Sequence, residues 1–479
     1  MRASLPLAMA AAALFVLVSD ARAWEAETTN AGLAERAALS SDLHTRLMEG
    51  FGLELGVYED LTIAPDDAPA LYEALARLDR GQGYTPGEAG TLPGIGWLTA
   101  GAVLAHLPAE HAVHHAYDAF TGDGFSSREI PGGLGGLAHR FGAQVAGARL
   151  LREGMPATAW LTHEDNPFRL SEFWGHYEAA ASAQTPEARA RHAASMLVAA
   201  GAIVHVVQDM ASPARVRDDR ASMLRRLGPD RIDVGSRFER LASLSYGRLG
   251  VPAPSREIGL RPSLTDYITA EGGDGLADLT ARRFMSHGTL PESIEAAVTT
   301  PPHVLEARLE DSMRRPSPSV AAPLDLREAA TDDGARLVDQ SGVCIARYEL
   351  RDRRLRWRIP DDCALEQIRV LLGEASAYGA GVIEWLFRGE LALVESAGAL
   401  EARAGGIGVR DATVTFFAED EGGVREAFAE TRAPASAEPG EVVARAALPG
   451  ERAPARLVAV LRGEDEHGEP VVAAATLDR

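Results

Sequence analysis

Residues 188–209, ARARHAASMLVAAGAIVHVVQD, are apolar on nearly every side of a helix, and Ser212-Pro213 stops the pattern. A helix with no polar face needs neighbours all round it, so the rest of the chain must supply a wrapping of other elements. Residues 364–387, ALEQIRVLLGEASAYGAGVIEWLF, read as a second such helix, and residues 30–47 carry apolar side chains at helical spacing. Between the two long helices lies a Pro-rich loop region, 301–323, around a short helical segment. From about residue 390 the period changes from helical to alternating. Ala412-Thr413-Val414-Thr415-Phe416-Phe417 is followed by strand-like runs at 442–446, 456–461 and 471–477, punctuated by Gly, Pro and Asp. The expected fold class is mainly α: an all-α helical bundle over 24–389, then a small antiparallel β-sandwich over 390–479.

The first residues have the layout of a secretory signal peptide. Arg2 supplies a positive start, an apolar run extends from Leu5 to about Val18, and Ala21-Arg22-Ala23 is a small-x-small cleavage site. The expectation is a secreted or periplasmic protein whose mature chain begins at Trp24, with an uncleaved anchor as the alternative. The apolar run is too short to span a bilayer as a mature helix, and no transmembrane segment is expected. The net charge of -21 argues against sequence-independent binding of duplex DNA, which needs a basic face. It does not argue against a pocket holding cations, because a bound metal reverses the local field. Two cysteines, Cys344 and Cys363, are too few for a cysteine-built metal site. In an oxidising compartment they form a disulfide; two buried free thiols are the alternative.

Chemistry-bearing residues concentrate in the helical part. His205 and Asp209 are four apart on the apolar helix and so share a face. Both are standard metal-ligand types, and both need partners if buried: a metal, or each other in a structural hydrogen-bonded pair. A second group is EHAVHHAYD, in which His111 and His115 are four apart and Asp118 follows; His106 lies just upstream in an apolar context. Cleavage before Trp24 leaves a free α-amine there, with an ordinary pKa of about 7.7–8.0, which a metal can deprotonate at little cost.

Together these features resemble the zinc-dependent phospholipase C family, which includes the single-strand-specific nucleases. In that family the mature chain begins with a Trp whose amino and carbonyl groups bind zinc, and a His-x-x-x-Asp lies on a central helix. Trp24 matches the terminus. His115, in HHAYDAFTG, matches a ligand His, and His205-Val206-Val207-Gln208-Asp209 matches the central motif, followed by MASPARVRDD. Glu239, in SRFERLASLSYGRLGVP, matches the closing acid. The resemblance covers about 24–387.

Four positions depart from the pattern. Asn30 stands where an early His is expected, His106 where an Asp is expected, Arg215 in place of the His after Pro213, and Gly235 where the closing His belongs. The resemblance therefore implies metal ligation by Trp24, His106, His115, His205, Asp209 and Glu239, with one tight zinc on His106, His115, His205 and Asp209. Arg215 places a fixed positive charge at a second metal position and is expected to pair with Glu239. His106 also takes the place of the catalytic general base. The implied activity is hydrolysis of phospholipid or nucleic-acid phosphodiesters, in which clustered zinc ions activate water and hold phosphate oxygens. With one ion the two-sided clamp is lost, so weakened activity is expected. The alternative is a degenerate, non-catalytic member acting as a secreted binding or interaction protein.

Overall fold

The computed structural model describes residues 29–76, 86, 90–106, 109–125, 154–219, 222, 226–228, 231–233, 236–250, 253–290, 294–295, 327–331, 334–351, 354–449 and 454–479. The expected signal peptide, Trp24, Gly235 and the Pro-rich region 301–323 lie outside the described residues.

The helices are α1 (Ala31–Leu39), α2 (Leu43–Phe51), α3 (Pro69–Ala76), α4 (Gly94–Leu104), α5 (Ala157–Trp160), α6 (Leu170–Ser182), α7 (Pro186–Gln208), α8 (Arg237–Leu249), α9 (Leu276–Arg283) and α10 (Asp361–Leu386). The helical spacing read over 30–47 is carried by two helices, broken at Ser40–Asp42, where short polar side chains compete with the helix for backbone bonds. Helix α7 is the predicted central helix. Thr185 caps it by accepting from Ala188 N at 3.3 Å, and Pro186 sits in its first turn, where no N–H is needed. It is long and apolar enough to cross a membrane, yet 94% of its most apolar window is buried inside the protein, packed against α4, α6 and α10.

Two glycines bring α4 and α7 into backbone contact. A Cβ on Gly201 would lie 1.8 Å from Leu98 O, and one on Gly101 would lie 1.9 Å from Val198 O. No larger residue fits either position without separating the helices. This contact sets the distance between the C-terminal ends of α4 and α7, where His106 and His205 reside.

The strands are β1 (Asp60–Thr62), β2 (Thr91–Pro93), β3 (Arg226–Gly228), β4 (Arg231–Asp233), β5 (Ile294–Glu295), β6 (Arg327–Thr331), β7 (Gly334–Val338), β8 (Cys344–Arg351), β9 (Arg354–Arg358), β10 (Glu390–Ser396), β11 (Ala399–Gly405), β12 (Val409–Glu419), β13 (Arg425–Arg432), β14 (Ser436–Ala437), β15 (Val442–Ala447), β16 (Arg456–Glu464) and β17 (Pro470–Asp478). Strands β1 and β2 pair, as do β3 and β4. A five-stranded antiparallel sheet has the order β5-β9-β8-β7-β6.

That sheet overturns the expected mainly-α class. With 43% helix and 23% strand among the described residues, the chain is mixed α/β, and sheet structure interrupts the region read as all helical. The missed signal is the alternation in CIARYELR and RLRWR, where Arg and Glu alternate with Ala, Tyr, Leu and Trp. In register, Tyr348 faces Trp357, with ring centroids 5.1 Å apart. Cys344 and Cys363 are disulfide-bonded, with Cα atoms 5.0 Å apart, and tie β8 to the first turn of α10. Gln367 Nε2 reinforces the joint by donating to Cys344 O at 2.8 Å and Ile345 O at 2.9 Å.

The C-terminal strands form two antiparallel sheets, β10-β11-β15 and β13-β12-β16-β17, with β14 alongside β12. Leu400, Val414, Phe416, Leu457 and Leu461 fill the space between them. Phe417, Val458, Val460, Val472 and Ala474 belong instead to the core that surrounds α7, so these strands are fused to the helical part through apolar packing. A buried ion network adds to the joint. Arg425 Nε donates to Glu419 Oε2 at 2.6 Å, Arg425 Nη1 donates to Ala181 O at 2.8 Å, and Arg189 lies 3.5 Å from Glu419.

Candidate metal centre

His106 lies two residues beyond α4. His115 follows the 3-10 turn Ala109–His114, His205 is in the last turn of α7, and Asp209 is the first residue beyond α7. These four residues converge with exposures of 3% for His106 and 0% for the other three. One ligand atom from each lies within 4.8 Å of every other, so the group can hold a metal ion.

The individual distances fit that reading. Asp209 Oδ2 lies 3.1 Å from His106 Nε2, 3.1 Å from His115 Nδ1 and 3.2 Å from His205 Nε2. His106 Nε2 and His205 Nε2 are 3.0 Å apart. Tetrahedral ligands at bond lengths of about 2.0–2.1 Å stand about 3.3 Å from each other; these four of the six separations are close to that, and the group as a whole spans up to 4.8 Å.

Proton counting favours a cation over hydrogen bonds alone. If all three imidazoles donate to Asp209 Oδ2, the Nε2–H groups of His106 and His205 confront each other at 3.0 Å. Each ring's second nitrogen must then act as acceptor, yet among the described residues His106 Nδ1 and His115 Nε2 have no partner, and neither does Asp209 Oδ1. Buried polar atoms without partners are costly. A central cation takes the inward lone pairs and removes the conflict between the two Nε2 atoms.

The protonation states suit a metal. Burial, reinforced by the neighbouring His205, lowers the His106 pKa to about 3; burial and His106 hold His115 well below the usual histidine value. Burial opposes ionisation of Asp209, but Arg215 and the surrounding histidines outweigh it and hold the carboxyl well below its usual range. Two neutral imidazoles and a carboxylate are the forms that ligate metal at neutral pH.

The remaining expected residues surround this group. Asn30 is buried, and its Nδ2 lies 3.0 Å from His205 Nδ1. The same nitrogen lies 3.1 Å from His205 Nε2, so Asn30 is in reach of both ring nitrogens of His205. Glu239 is buried but belongs to a neighbouring ion pair, not to the four-residue group. Arg215 Nε donates to Glu239 Oε1 at 3.1 Å, and Arg215 Nη1 donates to His115 O at 2.7 Å and sits 3.6 Å from Asp209 Oδ2. One guanidinium thus compensates two buried carboxylates. Burial raises the Glu239 pKa, with Arg215 pulling it back.

Sequence reasoning missed why Glu239 sits here. Ser236 Oγ accepts from Glu239 N at 3.1 Å, and Glu239 Oε2 accepts from Ser236 N at 3.2 Å. This is a capping box starting α8, legible as Ser-x-x-Glu. Ser212 Oγ supplies a further donor to Glu239 Oε1 at 2.8 Å. His111 and His114, from the histidine-rich run, do not join the donor group. They pack on Trp160, with ring centroids at 4.9 and 4.5 Å. Asp118 accepts from Phe120 N and Thr121 Oγ1 within its own turn.

No protein-family model matches the chain, and no curated protein or solved structure matches it at a significant level.

Proposed function

We propose that this is a secreted, single-zinc protein of the zinc-dependent phospholipase C and nuclease type, in which the ion organises the helical part and does not turn over phosphodiesters. The observation that carries the reading is the closed four-donor group: His106, His115, His205 and Asp209 are at most 3% exposed. Four protein ligands characterise structural zinc sites, whereas catalytic zinc keeps a position for water. Arg215 supports the count of one ion, because its guanidinium lies between Asp209 and Glu239, where a second cation would be repelled.

A second reading, a weakened hydrolase of phospholipid or nucleic-acid phosphodiesters, draws on His106. It is the least buried of the four and stands at the position of the family's general base. Zinc supplies Lewis acidity and an activated water when one ligand position is open.

Elemental analysis of the exported protein separates the readings. The expected result is one zinc per chain, lost in His205→Ala, with no turnover of bis(p-nitrophenyl) phosphate, phosphatidylcholine or single-stranded DNA. Turnover abolished by His106→Ala establishes the hydrolase. Two or three zinc ions per chain refute the assignment of Arg215. N-terminal sequencing is expected to begin at Trp24.

A further inference from the structure

A cleft of about 490 Å³ opens where turns of the C-terminal sheets meet the helical part, lined in part by Arg261, Arg388, Ile407, Arg410 and Asp465. It shares no residue with the histidine group. In a chain of net charge -21, three guanidinium groups around one cleft call for an account. Two have carboxylate partners. Arg388 Nη2 donates to Asp465 Oδ2 at 3.0 Å, and Arg261 Nη1 donates to Asp274 Oδ1 at 3.0 Å. Arg410 differs: its Nε and Nη2 donate to the backbone oxygen of Asp465, at 3.1 and 2.8 Å. No carboxylate pairs with it among the described residues. Asp465 therefore neutralises Arg388 with its side chain while only anchoring Arg410 with its carbonyl. Arg410 is exposed and keeps its charge and its remaining donors.

The backbone is built to put it there. Pairing of β12 with β16 slips between Arg410 and Thr413, so two residues, Asp411 and Ala412, oppose Gly463 in a bulge. Asp411 is held at φ 49°, an unfavourable conformation for a residue with a side chain. Gly463 has no space for a Cβ, which would lie 2.8 Å from both Arg410 O and Ala412 Cβ. Bulges re-aim side chains, and this one follows Arg410 directly.

We propose that the cleft binds a single phosphate-type oxyanion through Arg410, carried either by a small soluble molecule or by a lipid headgroup. An anchored guanidinium presents fixed donors to such a group. Glu438 and Glu466 also line the cleft, so an extended polyanion such as nucleic acid would meet more repulsion than a single oxyanion held at Arg410. The site is independent of the zinc reading.

The test is calorimetric titration of the full chain, as purified and free of added metal, with inorganic phosphate, in wild type, Arg410→Glu, Arg410→Lys and a surface control, Arg191→Gln. Wild type and the control bind alike. Arg410→Glu weakens binding by at least about tenfold, the loss expected for a charge-assisted hydrogen bond, and Arg410→Lys, which keeps the charge but not the anchored fork, falls between it and wild type. Co-sedimentation with phosphatidylcholine vesicles containing phosphatidic acid identifies the source. Vesicle binding lost in Arg410→Glu marks a headgroup, and phosphate binding without vesicle binding marks a soluble ligand. The proposal is overturned if neither probe binds wild type, or if Arg410→Glu binds as wild type does.

Discussion

Arg215→Met tests the electrostatics of the centre. The side chain is 1% exposed and stands 3.1 Å from Glu239 and 3.6 Å from Asp209, and Nη1 also satisfies His115 O. Methionine keeps much of the volume and removes the charge and every donor. Removing one partner of a buried ion pair costs about 3–5 kcal/mol, and an orphaned carbonyl adds about 1–3 kcal/mol. Glu239 limits the total, because its carboxyl already sits above the ordinary range and takes up a proton once Arg215 is gone. The expected cost is about 4 kcal/mol, a large part of the roughly 5–15 kcal/mol that holds a typical domain together. Glu239→Gln alone should cost less, about 1–2 kcal/mol, because Arg215 keeps Asp209 and its carbonyl partners. The double variant removes both members of the pair, so it should fall short of the summed costs by more than about 1 kcal/mol. Urea unfolding of the zinc-loaded protein measures all three. Additive costs, or an Arg215→Met effect below about 1 kcal/mol, refute the reasoning.

Three further outcomes follow from the same structure. Without metal, the protein should lose stability in acid: unfolded histidines take protons near pH 6.5, whereas folded His106 resists until about 3. The benefit of the neutral ring is therefore complete above pH 6.5 and is lost as pH falls towards 3, at about 1.4 kcal/mol per pH unit for that group. A urea midpoint of the metal-free protein that rises between pH 7 and 5 contradicts this. Gly201→Ala should cost about 3 kcal/mol and reduce zinc content, because its Cβ collides with Leu98 O and pushes His106 from His205, while Gly175→Ala, with nothing within 4 Å, should be neutral or stabilising; equal midpoints for the two variants argue against the close helix contact. Replacing Cys344 and Cys363 together by Ser should cost about 3 kcal/mol for a loop of this size, read from the urea midpoint, and an unchanged midpoint contradicts a stabilising bridge.

Part of the four-residue group was legible in the sequence because His205 and Asp209 lie on or beside a strongly patterned segment. The apolar period of α7 marks a buried helix, and the four-residue step from His205 to Asp209 places both on one side of it. Residues 442–446, 456–461 and 471–477 are short apolar runs bounded by Gly, Pro and charged residues, and lie in β15, β16 and β17. The five-stranded sheet was hidden because its strands are rich in Arg, so the polar half of the alternation masked the apolar half. The apolar spacing over 30–47 runs on across the break at Ser40–Asp42, so the break itself was not legible from it.

The sequence by itself determined which side chains needed burial and which donors would need partners once buried, above all His205 and Asp209 on and beside an apolar α7. Only the tertiary structure decided where those demands are met. Gly101 and Gly201 let two backbones touch, and that contact brings His106, ninety-nine positions from His205, to 3.0 Å from it. Arg215 became the shared counter-ion of Asp209 and Glu239 because all three are dry and close, and a charge deprived of water must find its opposite within a few ångströms. Local pattern sets composition and period, whereas convergence depends on chain path, and no short stretch of sequence encodes that path.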